Sequence, residues 1–559
     1  MTGHGSWTRR RLSRRRLLAG SAAGAAGLAI AACSGGGEEE PQPGVATATA
    51  GPAGAPKRGG RYVYASTADF GTLDPVESVA FATAIFPRIY NALVVFSPFD
   101  PDFIYLDLAS EIEQPDEETY VYGIRPGVTI APNDLGVPER DLDALDALRW
   151  LEHVQSNPEA VAHSFMNAWL ASFEAPDAGS LTIKTSGPYA YFLLRMGGHL
   201  GGTLPPREFF EQEIDLDRGG VGAGPFAIRP GSYNEGGGIK LDRNPNRSRS
   251  GLPFVDGIDF VALPDRQPRR TAFIDKQIYE YDADTFAEME ELRDRIPDVT
   301  VAEQPTPTFV SLAMNPSRPP WNDERIRKAA LYALNRQEFV DLIVDGAGQP
   351  NGLVHWPVAG YALDPEELER LQPHDPARSR ELIREATGED SIAIRVMYPA
   401  NIEAEFHSEH VPVFERQMRE AGFEIEGDPL ALGGWLQNYA DLNYDASLAL
   451  NQYYETAEIP LDFHSASGPL GDGLYVRGIG ALYAEVEEAI RASKAETDTE
   501  AHREAVKSAQ RLIYSRGPAF LPIFSWTGFT LYHSFVKNPP GARGLGTASL
   551  FLSDFWLDR

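Results

Sequence analysis

The chain has 559 residues, 43% of them apolar and 10% aromatic, enough to bury a large core and, by length, to form two to four domains. Fifty Lys and Arg stand against 80 Asp and Glu, for a formal net charge of −30; phosphate backbones need a cationic face, so nucleic acid is excluded as a main partner. A single cysteine excludes a disulfide framework and any Cys-cluster zinc or iron–sulfur site within one chain.

Residues 1–33 carry Arg9, Arg10, Arg11, Arg14, Arg15 and Arg16, no acidic residue, and an Ala- and Gly-rich apolar run from Leu17 to Ala32. A basic region, a short apolar stretch and small residues before a cut site are the parts of an export signal. The stretch is too short and too rich in Gly and Ala to read as a membrane span. Ser13-Arg14-Arg15-Arg16-Leu17-Leu18 resembles the twin-arginine export motif, with Arg14 and Arg15 as its pair. Ile30-Ala31-Ala32-Cys33 resembles a lipoprotein box. That implies an acylated Cys33 as the new N-terminus, anchoring the protein on the outer face of the cell membrane or in the periplasm. The alternative for Cys33 is a buried thiol in an Ala-rich helix. Residues 34–58 are mostly Ser, Gly, Glu, Pro, Ala and Thr; they offer no apolar face and read as a flexible tether.

The folded body begins at Gly59-Gly60, with a strand over Arg61–Ala65. Further strands are expected over Tyr120–Ile124, which meets a turn at Arg125-Pro126-Gly127, and over Leu181–Lys184 and Ile258–Val261. Asn157-Pro158 is expected to open a helix with Val161, Phe165 and Trp169 on its apolar stripe. Asn322-Asp323 opens another with Ile326, Ala330 and Leu334, and Asp375-Pro376 a third with Leu382, Ile383 and Ala386. Leu482, Val486 and Ile490, then Val506, Leu512 and Ile513, continue the helical pattern. Strands and helices alternate without a repeat, so the class is α/β.

Signatures of catalysis are missing. The chain has no Gly-x-Ser-x-Gly elbow, no His-Glu-x-x-His, and no lysine following a glycine as a Walker A loop requires. Gly219–Gly224 is glycine-rich, but Pro225 follows and a strand is expected next, whereas a dinucleotide loop opens a helix. Glu403, Glu405, His407, Glu409 and His410 form the best metal candidate; the pair of imidazoles lacks a fixed third ligand, and a solvated, charged loop or helix start is expected instead. No enzyme, cofactor or metal is therefore expected.

Several spaced motifs are similar to those of the family 5 extracellular solute-binding proteins, the dipeptide, oligopeptide and nickel receptors of ABC importers. Thr72-Leu73-Asp74-Pro75, Ile89–Leu93, Leu108–Glu113, Tyr120–Val128 and Gly222–Phe226 resemble its first half. Asn315, Pro319–Asp323, Ile326–Ala329 and Ala333–Arg336 resemble its Asn…Pro-Phe-x-Asp-x-x-Val-Arg-x-Ala…Ala-Ile-x-Arg signature. Gly346–Pro350, Asp375–Ala377 and Gly517–Ile523 continue in register. The resemblance covers about Gly59 to Lys537 and implies a two-lobed periplasmic-binding-protein-like clamp with a small domain inserted in the first lobe. Lobe 1 would take 59–95, 215–310 and 520–559, the inserted domain 96–214, and lobe 2 311–519. Closure around a small solute or peptide, a membrane permease as partner, and a monomer are implied with it.

Two departures bear on the ligand. Ile130–Leu135 stands where the family has a Phe-His-Asp-Gly turn. The stretch matching the family's Trp and ammonium-pairing Asp is Leu448–Thr456, which holds neither. In it, Asn451, Tyr453 and Glu455 would share one face of a strand and Gln452 and Tyr454 the other. The first set is the expected ligand face, with Glu455 in place of the missing carboxylate and Trp435 a further candidate. A plain strand with alternate residues in the core is the competing reading for this stretch. For the whole chain, a lipid-anchored hydrolase and a sensor or chaperone on the same fold are the alternatives.

Overall fold

The computed structural model describes residues 55–559, apart from 67–72, 76–84, 98–99, 161, 198–202, 213, 215–219, 234–236, 247–250, 284, 356–357, 401–409, 453–455, 467–477 and 540–553. Cys33, Arg14 and Arg15 therefore lie outside the described residues. β1 (Arg61–Ser66) and a short helix α1 (Phe86–Ile89) open the body, and the hairpin of β2 (Val94–Ser97) and β3 (Asp100–Leu106) leads out of it.

A four-stranded antiparallel sheet follows, built from β4 (Ala109–Glu113), β5 (Thr119–Ile124), β6 (Leu170–Asp177) and β7 (Ser180–Thr185) in the order β4-β5-β7-β6. Tyr120, Tyr122 and Ile124 of β5 and Leu181 and Ile183 of β7 face inward, the period-two burial of a sheet with one wet side. α2 (Ala144–Ser156) and α3 (His163–Trp169) lie between β5 and β6 in sequence. α2 is additional to the helices expected from sequence, although Ala144, Ala147, Trp150, Leu151 and Val154 give a helical stripe and all are buried. Its start is a capping box in which Asp143 accepts from the Leu145 amide at 2.9 Å and Asp146 from the Asp143 amide at 2.8 Å. The helix expected from Asn157 starts later, at His163. The Asn157 side chain accepts from the Glu159 amide at 3.0 Å and its carbonyl from the Ala160 amide at 3.1 Å, so this residue closes a turn before it can cap a helix.

α4 (Phe192–Gly197) and α5 (Glu208–Glu211) carry the chain back. β8 (Phe226–Ile228), β9 (Gly238–Arg243) and β10 (Gly257–Ala262) then join β1 in a sheet ordered β1-β10-β9-β8, with β1 and β10 parallel. The β4–β7 sheet is thus an insertion within another domain. Two close approaches explain the glycines before β8. A Cβ on Gly222 would stand 2.2 Å from the Ile89 carbonyl oxygen, and one on Gly224 2.6 Å from the Ile89 carbonyl carbon. The Gly224 amide also donates to that oxygen at 3.0 Å. The segment serves backbone packing, as its similarity to a structural motif implied.

α6 (Arg266–Ile274), β11 (Glu280–Ala283) and α7 (Phe286–Arg295) lead into the long strand β12 (Val299–Met314). The chain then runs through α8 (Glu324–Ala333), α9 (Arg336–Ile343), β13 (Gly348–Pro350), α10 (Pro365–Leu371), α11 (Pro376–Thr387), β14 (Ile392–Pro399), α12 (His410–Glu420), β15 (Phe423–Leu430), α13 (Leu432–Ala440), β16 (Ala446–Gln452), α14 (Glu458–Asp462), α15 (Ala484–Ala495) and α16 (Thr499–Ser515). The helices expected at Asp323 and Asp375 form, with those carboxylates accepting from the Arg325 and Arg378 amides at 2.9 Å each; such caps contribute about 1 kcal/mol apiece. Of the last stripe, Val486, Ile490, Val506 and Ile513 are buried, while Leu482 is exposed ahead of α15.

β17 (Phe520–His533) returns antiparallel to β12. A seven-stranded sheet results, ordered β11-β17-β12-β16-β14-β15 with β13 on β17. β18 (Val536–Lys537) and β19 (Trp556–Leu557) pair near the C-terminus.

Candidate functional site

β12 and β17 pass from one lobe into the other. Val299–Pro305 pairs with Thr527–His533 beside β11, whereas Phe309–Met314 pairs with Phe520–Ser525 and, on its other edge, with β16. The ladder shifts register between Pro305 and Phe309 and again between Val310 and Ser311. Irregular pairing of this kind bends and twists a strand pair, and it falls where the two lobes meet. Trp526, Thr527 and Gly528, opposite the first break, are half-exposed between two buried stretches of β17.

On the lobe 2 side, β16 runs toward this crossing, since Ala446 pairs with Met314 and Gln452 with Thr308. Asn451 is 2% exposed and donates to Ser311 Oγ at 2.7 Å. Trp435 on α13 is 5% exposed and donates to Ser447 Oγ at 3.0 Å. Both sit on the layer between α13 and the sheet. There Trp435 stacks on Tyr439 and Tyr439 on Tyr444, with ring centroids 5.0 and 5.4 Å apart. Phe309, Phe463 and Phe520 complete the same packed layer. Asn451 and Trp435 thus spend hydrogen bonds on fixing β16 and its covering helix. Tyr453 and Glu455 lie outside the described residues. The chain on either side of them is anchored, by Asn451 before and by the buried Thr456 and Glu458 after.

Ionisable side chains cluster behind β1, with Arg88 buried, Glu280 half-buried and Asp282 exposed at the edge. The Tyr62 hydroxyl donates to Glu280, Thr530 donates to Asp282 at 2.7 Å, and the guanidinium of the buried Arg88 lies 5.4 Å over the Phe260 ring. Burial pushes the Glu280 carboxyl up to about 7, with Asp282 adding to the rise and Tyr62 and Arg88 opposing it. No local pattern marks this cluster, because its members come from β1, α1, β11 and β17.

The metal candidate falls mostly on residues not described. His410 is buried at the start of α12, while Glu403, Glu405, His407 and Glu409 lie outside the described residues. No group of three ligating side chains occurs among the described ones. A groove of about 140 Å³ opens at the far end of β16, between the ion pairs Arg318–Asp445 and Arg395–Asp428 at 3.3 and 2.7 Å. Gln452 lies six residue steps along β16 from Ala446, which lines the groove, roughly 20 Å along a strand, so the groove is remote from the crossing. No described helix is long and apolar enough to cross a membrane.

Comparison with known proteins adds sequence and fold relatives. The profile described as "Bacterial extracellular solute-binding proteins, family 5 Middle" matches residues 104–459. The glutathione-binding protein GsiB of Salmonella paratyphi A is 23% identical over 327 residues, 58% of this chain and 61% of the relative. The match thus spans about three fifths of that relative's length. The periplasmic binding protein DppA of Helicobacter pylori, in complex with the peptide STSA, superposes with a TM-score of 0.75 at 18% identity, covering 90% of this chain and 99% of that one. The binding protein AgaA of A. tumefacien R10, in complex with agropinic acid, gives 0.75 at 15% identity, covering 89% and 99%. At these identities the structural likeness carries the two-lobed fold.

Proposed function

Because the chain belongs to family 5 of the bacterial extracellular solute-binding proteins, we propose that it is the extracytoplasmic substrate-binding component of an ABC importer and closes around a peptide. The observation that carries this reading is the pair of strands β12 and β17. They are the continuous sheet connection between two lobes, and they are irregular where the lobes meet. Such a connection suits hinged closure around a ligand. The peptide assignment draws on two relatives, the glutathione-binding protein GsiB and DppA in its complex with a peptide.

In this reading lobe 1 comprises 59–95, 215–310 and 520–559, the inserted domain 96–214, and lobe 2 311–519. Asn451 and Trp435 support the wall of the cleft from behind, and Tyr453 and Glu455 supply ligand contacts in the segment between β16 and α14. Arg14 and Arg15 direct export, an acylated Cys33 holds the protein to the membrane, residues 34–58 give it reach, and the monomer delivers ligand to a permease. Binding involves no covalent step.

The test is the content of the cleft in full-length protein purified without unfolding, read by mass spectrometry of the released small molecules and followed by calorimetry with what is found. Peptides at near one per chain, returned unaltered, are expected. An opine-like acid or a metal chelate at that stoichiometry would overturn the peptide assignment. Chemical conversion of the ligand would overturn the receptor reading itself.

A further inference from the structure

After β7 the chain leaves the inserted sheet and lies on lobe 2. The Tyr189 hydroxyl donates to Glu458 Oε2 at 2.6 Å. The Ala190 amide donates to the Lys494 carbonyl at 2.8 Å, and the Tyr191 hydroxyl shares a hydrogen bond of 2.8 Å with His502 Nε2. One turn on, Arg195 Nε stands 3.8 Å from the same Glu458 oxygen. From the other side, Lys494 pairs with Asp462 at 2.7 Å and with Glu458 at 3.4 Å. Its ammonium also lies 5.8 Å over the Trp169 ring, which stacks on Tyr189 at 4.0 Å. Tyr189, Arg195, Glu458, Asp462 and Lys494 are all buried.

Charge is distributed unequally across this contact. Glu458, Asp462 and Lys494 belong to lobe 2 and together leave one negative charge in excess. Arg195, from the inserted domain, supplies the missing positive charge. A buried group of ions is tolerated when it is balanced and hydrogen-bonded, and is strongly unfavourable when one partner is removed. Burial, with Glu458 alongside, holds the Asp462 carboxyl above its ordinary range, which is consistent with a surplus of negative charge on that side.

The connectivity makes the contact separable. The inserted domain is joined by its two chain passes to the β1-β10-β9-β8 sheet, and no backbone links Tyr189–Arg195 directly to α14 or α15. An opening rotation of lobe 2 about the β12–β17 crossing would draw these groups apart. Glu458 also stands three residues beyond the segment 453–455.

We propose that this buried cluster is a latch. The inserted domain grips lobe 2 at Glu458 through Tyr189 and Arg195 and favours the closed clamp. The proposal rests on the clamp reading given above. It names positioning residues, and none of them is assigned a contact with the ligand.

The test measures a distance in full-length protein without added ligand. Spin labels on Ser172→Cys in the inserted domain and Glu389→Cys in lobe 2, both exposed, report separation of the two bodies by pulsed EPR. A sample retaining only Cys33 supplies the background. Tyr189→Phe keeps the ring on Trp169 and deletes the bond to Glu458. It is expected to raise the open-to-closed ratio about 10- to 100-fold, the range for losing a hydrogen bond to a charged group. Glu458→Gln should do the same, and the double variant should add little to either single one. Should Glu458→Gln fail to fold, Arg195→Lys takes its place. Unchanged distances in the variants would overturn the latch; a lowered melting temperature with unchanged distances would do so equally, assigning the contact a static structural role. The readout uses no solute, so its failure and the failure of the peptide reading are distinguishable. A chain that opens on Tyr189→Phe but binds no peptide keeps the latch and loses that reading, and the converse result does the reverse.

Discussion

Glu280→Gln isolates the titration of one half-buried carboxyl. A carboxyl whose value rises from 4.5 unfolded to about 7 in the folded chain holds its proton longer in the folded state. Its contribution is fully present below about pH 4.5 and is lost as pH rises through about 7. The complete loss is about 3 kcal/mol for that rise. Glutamine keeps the shape, can accept from Tyr62, and does not ionise, so the variant escapes the loss. Urea unfolding followed by tryptophan fluorescence, at about pH 5.5 and about pH 8.5, measures the stability difference, variant minus parent. By the same linkage it should increase by about 2 kcal/mol across that interval. The competing arrangement is a Glu280 carboxylate already ionised beside Arg88. The difference would then be flat with pH, and glutamine would be the less stable throughout, because it leaves a buried guanidinium short of its counter-charge. Either result would refute the reasoning.

Asp146 accepts from both Arg140 terminal nitrogens at 2.6 and 2.8 Å and from the Arg207 amide at 2.9 Å while fully buried. Asp146→Ala should therefore cost about 3–5 kcal/mol in denaturant unfolding, and a loss below about 1 kcal/mol would mean that Arg140 finds enough in Glu208 alone. Glu455→Gln should weaken binding of the natural ligand by about 1.5–3 kcal/mol in titration calorimetry; unchanged affinity together with a loss for Tyr454→Ala would place the opposite strand face toward the ligand. Cys33→Ser should release the exported protein from membranes on fractionation, and a membrane-bound serine variant would refute the lipid anchor. Replacing Arg14 and Arg15 with lysine should abolish export, whereas normal export of that variant would point to the general secretion route.

Local order was legible wherever a signal sat within a few residues. Asp323 and Asp375 could be recognised as caps because a cap and its helix are neighbours in sequence. Asn157 has the same chemistry but turns the chain on itself, and nothing in its side chain distinguishes the two uses. Asp143 and Asp146 made an equally good box that went unread, because the charged residues around Trp150 obscured the apolar stripe. The wall of the proposed cleft was half legible. Period two placed Asn451 and Gln452 on opposite faces, but whether a face meets solvent or another helix depends on α13 folding back over the sheet. Tyr62 with Glu280, Thr530 with Asp282, and likewise Tyr189 with Glu458, are partners across long stretches of sequence, and one sequence carries no record of such pairings.

The course of β12 and β17 sets how this protein can be recombined. The β4–β7 sheet hangs on two chain passes outside its own ladder, so it can be exchanged for a counterpart by cutting in loops, provided the groups facing Glu458 and Lys494 travel with it. Lobe 2 offers no such seam. Removing it means severing two strands in mid-ladder and leaving β11 beside a truncated partner with bare edge amides and carbonyls. Chimeras that trade ligand preference between relatives are therefore expected to stay soluble when the junctions lie beyond both ends of β12 and β17, and to aggregate when the junctions fall at the crossing itself.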